Sequence, residues 1–305
     1  MLVVVLDSLF ESLDVEREVA ARYGARVARV EDDPELLASA DIVAHVRTRV
    51  DADLIKAMPS CRVIARFGTG LDTVDLEAAE RAGIAVVGVR DYCVPELTSH
   101  TLALALTLTR RIRELDGREA GWDEVAASTP FPAVRCAAVL GLGSIGTAVA
   151  SALAAMGFDV LAVTSRPGAA RAAGATPAAL DEALEMSDLV LLHLALNEET
   201  AGLVDNRFLE SMRPEAILVD TARLGLLDEH AVAAALDQGR LGGLALDAAL
   251  PSGSPLTRFL DDRRVVVTPH VGWYSEASAR ALRERAIGGA LERALNPRPK
   301  ETPIR

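Results

Sequence analysis

Ala137-Ala138-Val139-Leu140-Gly141-Leu142-Gly143-Ser144-Ile145-Gly146 is an apolar run that passes directly into Gly-x-Gly-x-x-Gly, and Thr147 to Met156 behind it read as an alanine-rich helix. A lone glycine triplet carries little information, but one set between a strand and a helix specifies a dinucleotide-binding turn. Gly141 permits the tight turn off the strand, Gly143 lets main chain approach a pyrophosphate, and Gly146 lets helix and strand pack closely. The helix start at Ser144 and Ile145 adds unpaired N–H groups and a partial positive charge for the phosphates. The stretch predicts a bound dinucleotide.

The 305 residues around it exceed one typical domain and suggest two. Half of them are hydrophobic and 4% aromatic, so the core must be built from Ala, Val and Leu. No apolar run approaches the roughly 20 residues that span a bilayer. Met1-Leu2-Val3-Val4-Val5-Leu6-Asp7 lacks a basic lead-in and reads as a first strand rather than a signal peptide. Cys61, Cys93 and Cys136 have no metal-ligand spacing and cannot all pair, which implies no metal and a reducing, cytoplasmic setting. The net charge of −12 argues against nucleic acid or an anionic membrane as partner. Lysine occurs only at 56 and 300, so anion binding would fall to placed arginines.

Residues 1–93 alternate between strand signals (Leu2–Leu6, Arg26–Val30, Ile42–Val46, Val63–Arg66, Ala85–Val87) and helix signals (Glu16–Tyr23, Pro34–Ala38, Asp53–Met58, Leu76–Ala82). Such alternation means a parallel sheet with crossover helices. Thr101 to Thr109 alternates like a strand, but Pro95 and Glu96 suit a first helical turn and Arg110 to Arg113 a last one. We read it as a helix buried all round. After a loop around 121–132 a second series offers six strands: Ala137–Leu140, Val160–Val163, Leu189–His193, Ile217–Asp220, Gly243–Asp247 and Val265–Thr268. Six strands after a glycine motif is the Rossmann count. A final amphipathic helix, Ser275–Leu295, closes at Asn296-Pro297.

Four ordered motifs carry a family resemblance. Arg66-Phe67-Gly68-Thr69-Gly70-Leu71-Asp72-Thr73-Val74-Asp75, the glycine turn, Asp220-Thr221-Ala222-Arg223 and Thr268-Pro269-His270 resemble the D-isomer-specific 2-hydroxyacid dehydrogenases along nearly the whole chain. Arg90-Asp91-Tyr92-Cys93 and Gly272-Trp273-Tyr274-Ser275-Glu276 look like the C-terminal-binding-protein branch. The resemblance implies an α/β protein of two doubly wound parallel-sheet domains. A Rossmann nucleotide-binding domain (97–274) would be inserted into a discontinuous flavodoxin-like substrate domain (1–96 and 275–305). It also implies an interdomain cleft that closes on substrate, and a homodimer to which the Leu102–Leu108 helix could contribute; an ordinary core helix fits equally.

Cofactor choice turns on the end of the second Rossmann strand, where an acidic residue about 20 positions after the glycines would accept from a ribose 2′-hydroxyl. Here Val163-Thr164-Ser165-Arg166 stands instead. No carboxylate repels a 2′-phosphate, Thr164 and Ser165 can donate to it and Arg166 can clamp it, which predicts NADP(H), with NAD(H) as the alternative. By resemblance His193, Ala195, Thr200, Thr221, Ala222, Asp247 and Gly272 would also border the cofactor, with Asp247 meeting the nicotinamide amide.

Reducing a 2-keto acid needs a carboxylate clamp, a proton donor beside the carbonyl oxygen and a hydride over its carbon. The resemblance gives these roles to Arg223, which binds carboxylate and carbonyl, and to His270, the acid/base. Thr69 and Gly70 amides would hold the carboxylate, and Trp273 would line the pocket. Arg47 and Arg90 could read a second anionic group, or simply be solvated. One departure is large: the family's glutamate shortly after Asp247 is missing, and no glutamate lies between Glu229 and Glu276. Without that carboxylate His270 is expected to hold its proton less firmly. Leu224 also replaces a glycine and Ala195 a proline. Another acid such as Asp261 or Glu276 could substitute, proton assistance could be weaker, or redox chemistry could be lost. The leading expectation is reduction of a small anionic 2-keto acid, or its reverse from the D-hydroxy acid. A nucleotide-sensing binding or scaffold protein is the alternative, and chemistry on a phosphorus oxyanion is a third.

Overall fold

The computed structural model describes residues 1–31, 33–117, 119, 121, 123 and 135–296. The loop expected around 121–132 lies almost wholly outside the described residues, as does Pro297. Internal contacts divide the chain into Met1–Tyr92 with Ser275–Arg305, and Cys93–Tyr274. The boundary falls a few residues before the expected 96/97, because Val94–Thr109 is one continuous helix counted whole with the second unit.

In the first unit β1 (Leu2–Val5), β2 (Arg26–Arg29), β3 (Ile42–His45), β4 (Val63–Arg66) and β5 (Ala85–Val87) form an all-parallel sheet in the order β2-β1-β3-β4-β5. This is the flavodoxin-like order. β3 is buried throughout, as a strand covered on both faces must be. The helix Glu276–Leu295 starts with a reciprocal capping box between Ser275 and Ser278, which satisfies two backbone donors. It packs on the helix Asp14–Arg22 through an enclosed ion pair. Arg283 Nε and Nη2 donate to the two oxygens of fully buried Glu16 at 2.7 and 2.5 Å.

The second unit holds β6 (Cys136–Leu140), β7 (Asp159–Val163), β8 (Thr176–Pro177), β9 (Leu189–Leu192), β10 (Ala216–Asp220), β11 (Leu241–Asp247) and β12 (Val265–Thr268). Their order, β12-β11-β10-β9-β6-β7-β8, is the Rossmann arrangement with one further strand, and every pair is parallel. The further strand is β12, and the strand the sequence reading lacked is β8, the third of the Rossmann order. It has two residues and ends in proline, so it carries no periodic signal and is tolerated only at the edge it occupies. One face of the sheet is covered by the helices Val94–Thr109 and Ser144–Ala155, the other by Leu180–Met186, Asn206–Ser211 and Glu229–Asp237.

The segment Thr101–Thr109 is helical despite its alternation. The arginines do not extend it: the helix stops at Thr109, and Arg111 turns left-handed at φ 53° before a separate turn, Ile112–Leu115. Nor is it enclosed all round in this chain. Leu104, Ala105 and Leu108 are buried, whereas Leu102 and Leu106 are half-buried and Ala103 is exposed. No described helix is long and apolar enough to cross a membrane.

Arg283→Ala would strand the buried Glu16 carboxylate. The expected loss is about 3–5 kcal/mol in urea unfolding, with much of it recovered in the double variant Glu16→Leu/Arg283→Met.

Candidate active site

The glycine turn is fixed by contacts only glycine allows. A Cβ on Gly146 would lie 2.0 Å from the Gly141 carbonyl oxygen, and one on Gly141, at φ 92°, would lie 2.5 Å from that of His193. Around Gly143, by contrast, there is open space within 4 Å. The first amides of the helix Ser144–Ala155 have no acceptor within the helix, so they are available to an anion at that opening. Close packing behind and open backbone in front is the cradle a pyrophosphate needs. The residues present fit a dinucleotide.

Next to this turn, β7 ends at Val163 and is followed by Thr164, Ser165 and Arg166. Arg166 reaches back across the sheet edge and donates through Nη2 to the carbonyl of Leu142 inside the glycine turn. On the other side His193 extends the β9–β6 pairing through its amide, 2.8 Å from Leu140 O. Its Nε2 is enclosed with no partner among the described residues, and burial pushes the imidazole down to about 4, so the ring is neutral at pH 7. His193 is a floor for the glycine turn and supplies no charge to a phosphate. Two threonines expected to border a cofactor also make internal hydrogen bonds. Thr200 Oγ1 ties its own loop by donating to Ala195 O at 2.6 Å, and buried Thr221 meets Thr101 at 2.9 Å.

Strand register brings the chemical groups to one end of the sheet. Asp220 pairs with Leu246, and Asp247 with Thr268, so the carboxyl ends of β10, β11 and β12 lie side by side. Neighbouring strands are about 4.8 Å apart, which sets the roots of Arg223 and His270 two strand spacings apart with Asp247 between. Ala222 and Arg223 follow β10 in a turn closed by Asp220 Oδ1, which accepts from both their amides at 2.7 and 3.2 Å. The Arg223 Nη1 donates to Ala222 O at 2.7 Å. Leu224, in the place of a glycine, opens a short 3-10 turn and packs on the core.

His270 sits just past β12 in the left-handed region, φ 59°, a conformation that costs a non-glycine residue about 1–2 kcal/mol unless its surroundings impose it. Those surroundings come from Asp247, whose side chain is buried. Oδ1 accepts from Val271 N at 2.8 Å and from Thr268 Oγ1 at 2.7 Å, and Oδ2 accepts from Gly272 N at 2.8 Å. With its proton given to Asp247, Thr268 Oγ1 accepts from His100 Nε2 at 3.0 Å. Gly272 is obligatory, since a Cβ there would stand 2.8 Å from Asp247 Oδ2, His100 and Leu97. Half-buried Trp273 braces the same loop by donating from Nε1 to His270 O at 3.1 Å.

The imidazole itself lies 3.1 Å through Nδ1 from the main-chain carbonyl of Asp247. A carbonyl only accepts, so the Nδ1 proton must be present and Nε2 is the nitrogen left for proton transfer. Within its own unit the partner of Nδ1 is thus a backbone oxygen.

In the first unit the loop after β4 carries Thr69 and Gly70, whose amides donate to no group among the described residues. Thr69 Oγ1 donates to Val89 O at 2.9 Å. Gly68, at φ 145°, is required because the Arg66 guanidinium lies where its Cβ would be. Arg47 and Arg90 are exposed on the loops after β3 and β5. The Arg47 loop is organised by Asp7, whose carboxylate accepts from the amides of Val46 at 2.9 Å and Arg47 at 2.7 Å. These bonds outweigh burial and hold Asp7 below the usual carboxylate range.

Residues 102–272 match the model of the D-isomer specific 2-hydroxyacid dehydrogenase NAD binding domain. The chain belongs to this family. It is 36% identical over 249 residues to the D-3-phosphoglycerate dehydrogenase of Mycobacterium bovis, covering 80% of this chain and 46% of that protein. Against the glycerate dehydrogenase of Methylorubrum extorquens it is 30% identical, covering 84% and 83%. The chain thus spans about half the length of the phosphoglycerate dehydrogenases it matches. Its fold is that of the Aquifex aeolicus D-lactate dehydrogenase solved with NAD and lactic acid, with a TM-score of 0.83, 24% identity and coverage of 96% and 95%. The glycine turn, Arg223 and His270 all lie within the matched residues.

Sequence reasoning missed Asp220, His100, Thr101 and Arg66 as supports of the site. Asp220 and Arg66 stood inside motifs already quoted, immediately before the residues they hold. His100 had no local signal, because its partners are 147 and 168 positions away.

Gly146→Ala should lower dinucleotide affinity by at least about tenfold in fluorescence titration, since the helix must back away from Gly141. Nitrogen-15 spectra of neutral His270 should show the proton on Nδ1; a proton on Nε2 would contradict the Asp247 carbonyl contact.

Proposed function

We propose that this chain is a nicotinamide-dependent oxidoreductase interconverting a small anionic 2-keto acid and its D-2-hydroxy acid. The observation that carries the proposal is the placement of Arg223 and His270 beyond the ends of β10 and β12, on either side of β11, at the carboxyl edge of the sheet that also ends in the glycine turn. Ligands of open α/β sheets bind at that edge.

A bound nicotinamide would supply or accept the hydride. The planar guanidinium fork of Arg223 suits a carboxylate and the adjoining carbonyl oxygen. For reduction, His270 passes the Nε2 proton of its imidazolium to the carbonyl oxygen as the hydride reaches the carbon. For oxidation, the neutral ring takes the hydroxyl proton back at Nε2. The Asp247 carbonyl fixes which nitrogen does this in both directions. A carbonyl dipole stabilises an imidazolium less than a carboxylate would, so proton assistance in this chain is weaker but correctly aimed. Arg47 and Arg90 favour a substrate with a second anionic group.

For the cofactor we propose NADP(H) over NAD(H). Thr164, Ser165 and Arg166 provide donors and no carboxylate where a 2′-phosphate would sit, and Arg166 already lies against the glycine turn.

Consumption of NADPH and NADH with a panel of mono- and dianionic 2-keto acids tests both statements. We expect turnover with higher kcat/KM for NADPH, and a loss of about 10²–10⁴-fold in His270→Gln. A clear NADH preference would sink the cofactor assignment. Tight cofactor binding with no turnover on any acid would favour a nucleotide-sensing binding protein instead.

A further inference from the structure

Asp220 takes no part in the reaction just described, yet it is among the least comfortable groups in the molecule. Its side chain is 2% exposed at the end of β10. Oδ1 closes the turn that launches Arg223, as given above. Oδ2 is buried with no hydrogen-bond partner among the described residues. A buried carboxyl with one unsatisfied oxygen is costly as an anion and much less so as a neutral acid.

The charges that act on it are few. Arg223, from its own turn, and the two amides favour the carboxylate; Asp247 on the neighbouring β11 opposes it. On the other side β9 offers Leu192 in register, and the helix Val94–Thr109 offers Thr101, which bonds Thr221 rather than Asp220. Burial outweighs the favourable contacts and pushes the Asp220 carboxyl up to about 7.

We propose that Asp220 is a positioning residue for Arg223, and that the proton on Asp220 sets how strongly the guanidinium holds an anionic substrate. This rests on the reading of Arg223 as the carboxylate clamp. When Asp220 is neutral, the Arg223 charge is directed to the substrate. When Asp220 ionises, its carboxylate competes for that charge inside a water-poor turn. Binding of an anion to Arg223 therefore draws a fraction of a proton, about half at most, from solvent onto Asp220, with no other bond made or broken.

His270 is a second ionisable side chain at this edge of the sheet, so the test removes it first. Oxamate binding is measured by calorimetry on the cofactor-loaded His270→Gln protein at about pH 6 and about pH 8.5. We expect affinity to fall about tenfold between the two, the equivalent of one unit of coupled shift, and to stay level when Asp220→Asn is added. An equal fall with and without Asp220→Asn, or no fall in His270→Gln alone, overturns the proposal. Absence of oxamate binding at both values overturns the Arg223 reading itself.

A second measurement needs no ligand. The infrared band of a protonated carboxyl should be present in the native protein at about pH 6 and missing in Asp220→Asn; its absence in the native protein overturns the proposal whatever oxamate does. The stability sign is fixed too. A carboxyl raised above its unfolded value of 3.8 loses folding free energy as pH rises toward its folded value. Asp220→Asn should thus stabilise more at about pH 8 than at about pH 5. Asp220→Ser, a smaller acceptor for the same two amides, serves if the asparagine variant does not fold.

Discussion

Asp247 acts through both ends of the residue. Its carboxylate gathers the amides of Val271 and Gly272 and the hydroxyl of Thr268, and its own carbonyl accepts from the ring of His270. The left-handed backbone at His270 would relax if any one of these bonds stood alone. Together with the Trp273 indole they over-determine it, so the strain is held at the residue that must present Nε2. The imidazole's direction and tautomer both follow from this one anchoring residue at the end of β11.

Two aspartates on adjacent strand ends behave in opposite ways for a countable reason. Asp247 finds a donor for each oxygen and serves as a structural anchor. Asp220, equally buried, finds donors for one oxygen only, so burial dominates its titration. Residue type and depth are the same, and the number of hydrogen-bond donors decides which carboxyl is structural and which is labile. Parallel register makes the pairing possible, since it sets β10 and β11 ends level and leaves Asp247 as the nearest like charge.

What was legible in the sequence follows the same division. Strand–turn–helix alternation and glycine spacing are local, so both sheets, their parallel character and the dinucleotide turn could be read directly. β8 could not, because two residues at an edge carry no period. The end of the Val94–Thr109 helix was misread because a run of arginines suits a helix terminus whether or not the backbone continues; Arg111 turns out of it instead. The internal hydrogen bonds of Thr200 and Thr221 are not displayed by a motif. The partner of His270 was hidden more deeply still, because a backbone carbonyl has no sequence signature.

An acidic chain that handles anions faces a solvation problem, and its answer is written in glycine more than in basic residues. Both the start of the helix Ser144–Ala155 and the pair Thr69 and Gly70 leave main-chain amides without a protein acceptor among the described residues, after the carboxyl ends of parallel strands. Amides offer hydrogen bonds to phosphate or carboxylate without adding a charge that must be desolvated or neutralised. On the proposed reading arginine is needed only where direction matters, Arg223 for the substrate carbonyl and Arg166 for a 2′-phosphate. Each donates to a backbone carbonyl, Ala222 O and Leu142 O. The net charge of −12 is thereby compatible with a site built for negatively charged ligands.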